Sequence, residues 1–270
     1  MSKMMKCVAG VLLLGILTVH LNAQSGPDNR YLVADHMKVA PGKVQAYLDL
    51  ELGPWKKIHE ARVKAGIIEG WHLYRVRYPH GTNSPHDYVT VTVYSDFNNI
   101  DAGWVDMPDS EDGETFDWDA VMAQTTAARD LVCSEIWYWN DGVIVEGLAP
   151  YISVNYMKTN GGLRNFMQTE REVAKPIQQA LKDAGDRAGW SVYRLMYPRG
   201  DGLPYNVATV NFHNDFASLS GTNMDAALKA GHPDATDEDR KAMWERTTSA
   251  RTLVRKEIWE LLESVMAPTE

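Results

Sequence analysis

Cysteine is scarce in this sequence. Cys7 and Cys133 are the only two among 270 residues, and Cys7 belongs to an N-terminal segment with the features of an export signal. Removal of that segment would leave one thiol, so no intramolecular disulfide could form. The fold must then be stabilised by a packed core, which a chain of this length can supply.

Motifs that mark common metal, phosphate or nucleophile sites are also missing. The chain has no HxH, HExxH or CxxC pattern, and the GDG at 200–202 is typical of a hairpin turn rather than a phosphate-binding loop. His80 and His86 lack a third ligand of fixed spacing. The acidic stretch 106–119 lacks EF-hand spacing and is interpreted as a solvated loop. The sequence predicts no metal site.

Basic residues are fewer than acidic ones. Lys and Arg total 27 and Asp and Glu total 36, which gives a net charge of −9 at pH 7. Loss of residues 1–23 would remove Lys3 and Lys6 and change the charge to −11. An acidic chain without a basic stripe is a poor partner for nucleic acid or an anionic membrane. We expect neither as a partner.

The first residues have the order of a secretory signal. Lys3 and Lys6 precede an apolar run at 8–19, and Ala23 is the best cleavage position. The run is short for a membrane-spanning helix, although an uncleaved N-terminal anchor is an alternative. We expect export to the periplasm or beyond, with no stable membrane insertion after cleavage.

The rest of the chain contains the same pattern twice. YLVADHMK at 31–38 returns as YISVNYMK at 151–158, and GWHLYRVRYP at 70–79 returns as GWSVYRLMYP at 189–198. Agreement over this length and in one order indicates a tandem duplication. The predicted boundaries are a signal peptide at 1–23, a first module at 31–139, a linker at 140–150 and a second module at 151–263.

Each copy has the hydrophobic patterns of a β-α-β-β-α-β unit. Such a unit forms a four-stranded antiparallel sheet with both helices on one face. The open faces of two copies can cover each other. The sequence therefore predicts an α+β fold in which two tandem ferredoxin-like βαββαβ modules pack their sheets face to face as a pseudo-dimeric α/β barrel. In the first copy we expect strands at 31–38, 71–78, 88–94 and 135–139, a helix from 42 to about 65, and a second helix that ends near 132.

This element order, together with MKVAPGK at 37–43, resembles the dimeric α/β-barrel superfamily, which includes the antibiotic-biosynthesis-type monooxygenases and the NIPSNAP-like proteins. The resemblance implies that one chain builds the barrel that single-module relatives build by dimerising. It also implies a metal-free oxygenase as one possible activity. Some relatives hold haem between helix and sheet, which implies His59 or His72 as an axial ligand if haem is bound. Otherwise no cofactor is expected.

Differences between the copies suggest where function lies. Glu51, Trp55 and His59 are four residues apart along one side of the first helix, and Trp55 and His59 have no equivalent in the second copy. Glu51 falls in an apolar stripe, so we expect a raised pKa or a cationic partner. Together with Tyr74 these residues are expected to line a pocket, and His72, which the second copy replaces with serine, is a further candidate. Proton transfer by Glu51 or His59 is the catalytic hypothesis. The structural alternative is a capped carboxylate and a solvated histidine.

Charged and polar residues within the strands are the other candidates. Arg75 and Arg194 are predicted to pair with Glu135 and Glu257 inside the barrel or at its rim, chiefly as a structural role. On the third strand, the Thr90 side is predicted to face the barrel interior and the valine side to face the helices. The predicted ligand-binding residues are Trp55, His72, Tyr74, Arg75, Tyr94, Arg194 and His213.

These features predict an exported monomer or homodimer that binds a small aromatic or apolar molecule, with an oxygenase or isomerase-like activity as one possibility. The alternatives are a non-catalytic periplasmic binding or structural protein, and a haem-binding protein. An enclosed pocket that reaches Glu51 or His59 would favour an enzyme. A filled interior would favour a non-catalytic role.

Overall fold

The computed structural model of the protein describes residues 30–102 and 116–267. The predicted signal at 1–23 and most of the acidic stretch at 106–119 lie outside the described residues. Within these ranges no helix is long and apolar enough to cross a membrane.

The tandem repeat is confirmed, because the four strands, the first helix with its π-helical turn and the helix before the last strand occur twice in the same order. The first repeat consists of β1 (Tyr31–Val39), α1 (Val44–Leu50), a π-helical turn (Glu51–Trp55), α2 (Lys56–Lys64), β2 (Gly70–Tyr78), β3 (Tyr88–Tyr94), α3 (Trp118–Ala128) and β4 (Arg129–Val143). The second consists of β5 (Tyr151–Thr159), α4 (Leu163–Thr169), a π-helical turn (Glu170–Ala174), α5 (Lys175–Asp183), β6 (Gly189–Tyr197), β7 (Val207–His213), α6 (Met224–Gly231), α7 (Asp237–Ser249) and β8 (Arg251–Met266). The second repeat thus also has α6, which has no counterpart among the described residues of the first.

The eight strands form one closed antiparallel barrel in the order β1-β3-β2-β8-β5-β7-β6-β4, and β4 pairs with β1 to close it. Each repeat contributes four consecutive strands. The pairs β2–β8 and β4–β6 join the repeats. The predicted pseudo-dimeric α/β barrel is thus confirmed. The module boundaries stay predictions, because the barrel joins both repeats into one sheet.

The last strand of the first repeat is longer than predicted. The preceding helix ends at Ala128 rather than near 132, and β4 begins at Arg129 and continues to Val143, into the predicted linker. Its first residue pairs with Val39 of β1, and its last pairs with Trp190 of β6. This strand needs the extra length because it pairs with both repeats.

The predicted orientation of the strand faces is wrong. Val89 and Val91 belong to the barrel interior, whereas Tyr88 and Tyr94 pack with the helices outside. Thr90 shares the outer side with the two tyrosines, because side chains alternate along a strand. Both faces of β3 are covered, so the alternation of polar and apolar residues does not show which face is inside.

Candidate functional site

A cavity of about 620 Å³ lies inside the barrel. Its wall is mainly aliphatic and aromatic and comes from the strands of both repeats. The size and the apolar lining are typical of a small-molecule site. The aliphatic wall includes Leu32, Val91, Val93, Ile152, Val154, Val210 and Leu261.

Four polar side chains stand in this wall as two equivalent pairs. Tyr74 and Tyr193 occupy the same position in the two repeats, and so do His72 and Ser191. Burial raises the pKa of both tyrosines, so each keeps its proton at neutral pH. The cavity therefore offers neutral hydroxyl groups to a ligand. Its two halves differ at His72, because the second repeat has Ser191 at that position.

His72 is the titratable nitrogen base of the cavity wall. Its Nδ1 lies 2.9 Å from the hydroxyl oxygen of Ser264. Burial lowers the pKa of its imidazole to about 4, so the ring is neutral at pH 7. The contact with Ser264 leaves Nε2 as the nitrogen that can meet a ligand.

Aromatic rings form the deep end of the cavity, which we call the floor. Trp137 and Trp259 are repeat equivalents that line it, and Tyr156 lies beside them with 2% of its surface exposed. The indole of Trp137 donates to Glu135 Oε2 at 3.1 Å, and that of Trp259 donates to Glu257 Oε2 at 2.8 Å. Two buried carboxylates thus lie directly behind the floor.

These carboxylates belong to a buried His–Glu cluster made of His36, His86, Glu135 and Glu257. His86 Nε2 lies 3.1 Å from Glu257 Oε2 and 3.4 Å from His36 Nδ1. His36 Nε2 lies 3.5 Å from Glu135 Oε2. None of the four side chains is more than 4% exposed as a residue. The cluster forms a continuous polar chain from one repeat to the other.

The opposite end of the barrel is the mouth of the cavity. Arg30 and Glu69 stand there, with Arg30 Nε 3.2 Å from Glu69 Oε2. The segment that connects the repeats contributes residues 144, 145 and 147–149 to the lining. We call residues 144–149 the inter-repeat strap. The strap thus forms part of the cavity wall at the mouth.

Glu51 lies in the outer core between helix and sheet, where the first π-helical turn begins. It is 3% exposed, and burial raises the pKa of its carboxyl to about 7 despite the opposing charge of Arg129. The expected raised pKa is thus confirmed. Its equivalent Glu170 forms an ion pair with Arg251. Glu51 does not line the barrel cavity.

His59 also lies in this outer core. Its ring stacks on Trp71 with centroids 4.7 Å apart and faces Trp55 at 6.3 Å. Burial lowers the pKa of the imidazole to about 3, so the predicted solvated state is wrong. Tyr74 points into the barrel on the other side of the sheet. The suggested pocket shared by Tyr74 and the helix residues is therefore not formed.

The two candidate haem ligands differ in their surroundings. The imidazole of His59 is packed against Trp71, so a haem at this position would require the helix to move away from the sheet. His72 lines the cavity and keeps Nε2 for coordination. Of the two candidates, His72 alone lines the barrel cavity, so it is the residue that would hold a haem.

The predicted pairing of the matched arginines and glutamates is wrong. Arg75 donates through Nε to Glu260 at 3.0 Å on the outer face of the β2–β8 seam. Arg194 lies 4.5 Å above the ring of Tyr138 at the β4–β6 seam. Residues at these seams become neighbours only when the two repeats join to close the barrel. Alignment of one repeat with the other does not show which residues will meet there. Glu135 and Glu257 instead belong to the buried His–Glu cluster.

Three other predicted ligand-binding residues lie outside the cavity. Tyr94 accepts a hydrogen bond from Arg62 at 3.0 Å, and the indole of Trp55 donates to Thr125 at 2.9 Å. His213 Nε2 lies 3.2 Å from the Ser153 hydroxyl oxygen. Of the predicted set, the cavity contains His72 and Tyr74.

Several lining residues were not predicted. Tyr193 and Ser191 could have been found by applying the positions of Tyr74 and His72 to the second repeat. The floor residues Trp137 and Trp259 each follow a glutamate, Glu135 or Glu257, by two positions, so each shares a strand face with that glutamate. In the described ranges no group of three or more His, Cys, Asp or Glu side chains is arranged to hold a metal ion.

Comparison with known proteins identifies the fold. The sequence matches no protein-family model and no curated protein. A candidate monooxygenase from Lactobacillus acidophilus NCFM superposes with a TM-score of 0.52 at 9% identity, over 89% of this chain and 97% of that one. A candidate monooxygenase from Fusobacterium nucleatum has a TM-score of 0.50 at 10% identity, over 88% and 94%. At these identities the likeness shows the dimeric α/β-barrel fold alone.

Proposed function

Because the chain has the dimeric α/β-barrel fold, we propose that it binds a small apolar or aromatic organic molecule in the cavity between its two repeats. The observation that carries the proposal is the cavity of about 620 Å³ with an apolar wall and few polar groups. A small-molecule site has this construction, because apolar contacts supply affinity and a few polar atoms fix orientation.

The polar groups restrict what is bound. Tyr74, Tyr193 and His72 are uncharged at neutral pH, so they would pair with a neutral oxygen of the ligand. Among the lining residues, Arg30 and Glu69 carry charge, and they pair with each other at the mouth. An anionic group placed deep in the barrel would lack a cationic partner among the lining residues and cost free energy.

A finer proposal is that the bound molecule is also transformed without a metal. A neutral imidazole beside a phenol can move a proton to or from a ligand oxygen, as an isomerase or cofactor-independent oxygenase requires. Candidate monooxygenases with this fold are consistent with that activity. The catalytic hypothesis for Glu51 and His59 stays a prediction, although the cavity does not reach either residue. The cavity is not filled, which weighs against a purely structural protein.

The binding proposal is tested with 1-N-phenylnaphthylamine, an apolar probe that fluoresces in apolar surroundings. We expect saturable binding with energy transfer from Trp137 and Trp259. Val91→Trp fills the cavity and should weaken binding about tenfold or more, whereas Val44→Trp, at a site that is 48% exposed on the outside, should bind as the wild type does. Equal binding by both variants, or no saturable binding, would refute the proposal.

Activity and absorbance measurements on the same purified protein distinguish the oxygenase, the non-catalytic binding protein and the haem protein. Oxygen uptake with 1-naphthol that is lost in Tyr74→Phe and His72→Gln would support the oxygenase. Binding without turnover would support a non-catalytic binding protein. Haem would supply one-electron and oxygen chemistry, with His72 as its ligand. A Soret band that His72→Gln removes would support this alternative.

Export and assembly also remain proposals. We propose cleavage after Ala23 and export, which N-terminal sequencing of protein from a periplasmic fraction tests. A mature chain that still begins at Met1 would contradict it. We further propose a monomer or homodimer, which light scattering measures.

A further inference from the structure

The rim of the cavity mouth is apolar although it faces water. Ile144 and Leu148 of the inter-repeat strap are 56% and 54% exposed, and Met266 at the end of β8 is 51% exposed. All three also line the cavity. The apolar cavity wall therefore continues onto the outer surface at the opening. A single exposed apolar residue is ordinary, but a group around a cavity mouth marks an interaction surface.

The charges beside this rim cancel. Arg30 pairs with Glu69. Lys182 Nζ lies 3.1 Å from Glu146 of the strap, and it also donates to the carbonyl oxygen of Ile144 at 2.7 Å. A surface with paired charges and apolar tips suits an uncharged lipid surface better than an anionic one. The net charge of −9 also disfavours binding to an anionic lipid surface.

We propose that the mouth docks on a zwitterionic lipid surface and that the ligand enters the barrel from the bilayer. This proposal rests on the proposed function, since it assigns a source to the cavity's ligand. Ile144, Leu148 and Met266 would insert into the headgroup region, and the strap would then separate bilayer from cavity. An apolar ligand would then pass from the bilayer into the apolar cavity without crossing water.

The test is flotation of the detergent-free soluble protein with phosphatidylcholine vesicles, measured without any ligand. The double variant Ile144→Ser, Leu148→Ser should lose about tenfold in vesicle partition, because two apolar side chains no longer leave water. The matched control is Leu253→Ser, Val254→Ser at the opposite end of β8, where the residues are 56% and 43% exposed. It should float as the wild type does.

Circular dichroism must show that both variants are folded. Equal flotation of the rim variant and the wild type, or no flotation of the wild type, would overturn the proposal. So would binding that requires anionic lipid, or a wild-type dimer that the rim variant dissociates, since a second copy would then cover the mouth. The proposed function fails separately, through the loss of saturable probe binding in buffer.

Discussion

His86 of the first repeat lies 3.1 Å from the buried carboxylate of Glu257 in the second. The reverse contact also exists, because the Tyr205 hydroxyl donates to Glu135 at 2.7 Å. Burial alone would raise the pKa of each carboxyl, but the hydrogen bonds and charges around them hold both pKa values below their ordinary range. Each repeat thus supplies a partner for the other's buried charge.

Removal of one partner should therefore destabilise the whole barrel. We expect His86→Ala to lower the free energy of unfolding by about 2–3 kcal/mol, because Glu257 would lose a hydrogen-bond partner in the interior. Urea unfolding at neutral pH measures this change. His80→Ala, at an exposed position in the same loop, is the control and should leave stability unchanged. Equal stability of the two variants would show that the contact contributes little.

The raised pKa of Glu51 predicts a dependence of stability on pH. The folded state holds the proton more tightly than the unfolded state does, so stability falls as pH rises from 4.5 to about 7. A pKa difference of this size corresponds to about 3 kcal/mol. Glu51→Gln should remove the loss and be more stable than the wild type at about pH 8. Urea unfolding across this range tests it.

Glu170 is the matched control for this experiment. It occupies the same position in the second repeat but pairs with Arg251, so Glu170→Gln should destabilise the protein by leaving the guanidinium without its carboxylate. Opposite signs for the two substitutions at high pH are the expected result. A wild-type curve parallel to that of Glu51→Gln would contradict the assignment.

Enclosure of His72 is testable by titration. Burial lowers its pKa to about 4, so between pH 6.5 and 4 the unfolded state takes up a proton that the folded state does not. The free energy of unfolding therefore falls as pH decreases through this range. An NMR titration, with the ring assigned by its loss in His72→Gln, should give a midpoint near 4. Probe affinity should stay constant from about pH 8 to pH 5. A midpoint near 6.5 would mean that the ring is in water.

The strap position depends on a close contact with β6. A Cβ atom at Gly189 would lie 2.5 Å from Val145 Cγ2 and 2.8 Å from the carbonyl oxygen of Val143. Gly189→Ala should displace the strap, cost about 1–3 kcal/mol of stability and speed the dissociation of the probe in stopped flow. Gly202→Ala, where a Cβ has no neighbour within 4 Å, should change neither. Identical dissociation rates would show that the strap does not control access.

The repeat allowed the element order and the pseudo-dimeric barrel to be predicted, because YLVADHMK and GWHLYRVRYP each occur twice in matching form. The orientation of β3 could not be predicted from Thr90 and Val91, since both sides of that strand are buried. Arg75 and Glu260 become neighbours only when β2 pairs with β8. This register depends on closure of the barrel, which no local pattern encodes.

The candidate site was predicted only in part for the same reason. His72 was selected because the second copy has serine at its position, and Tyr74 because it was expected to share a pocket with the first helix. Both residues line the cavity, although the pocket is not the expected one. Glu51 and His59 were selected because they share a helix face, but that face packs on the outside of the sheet. Sequence spacing shows which residues lie together on one element. It does not show on which side of the sheet that element packs.

The location of a bound ligand tests the central claim most directly. A crystal structure of the protein with 1-N-phenylnaphthylamine should show the probe inside the barrel, in contact with Tyr74 and Tyr193 and above the Trp137 and Trp259 rings. Probe density between helix and sheet beside His59, or on the outer surface with an empty barrel, would contradict the assignment of the cavity as the functional site.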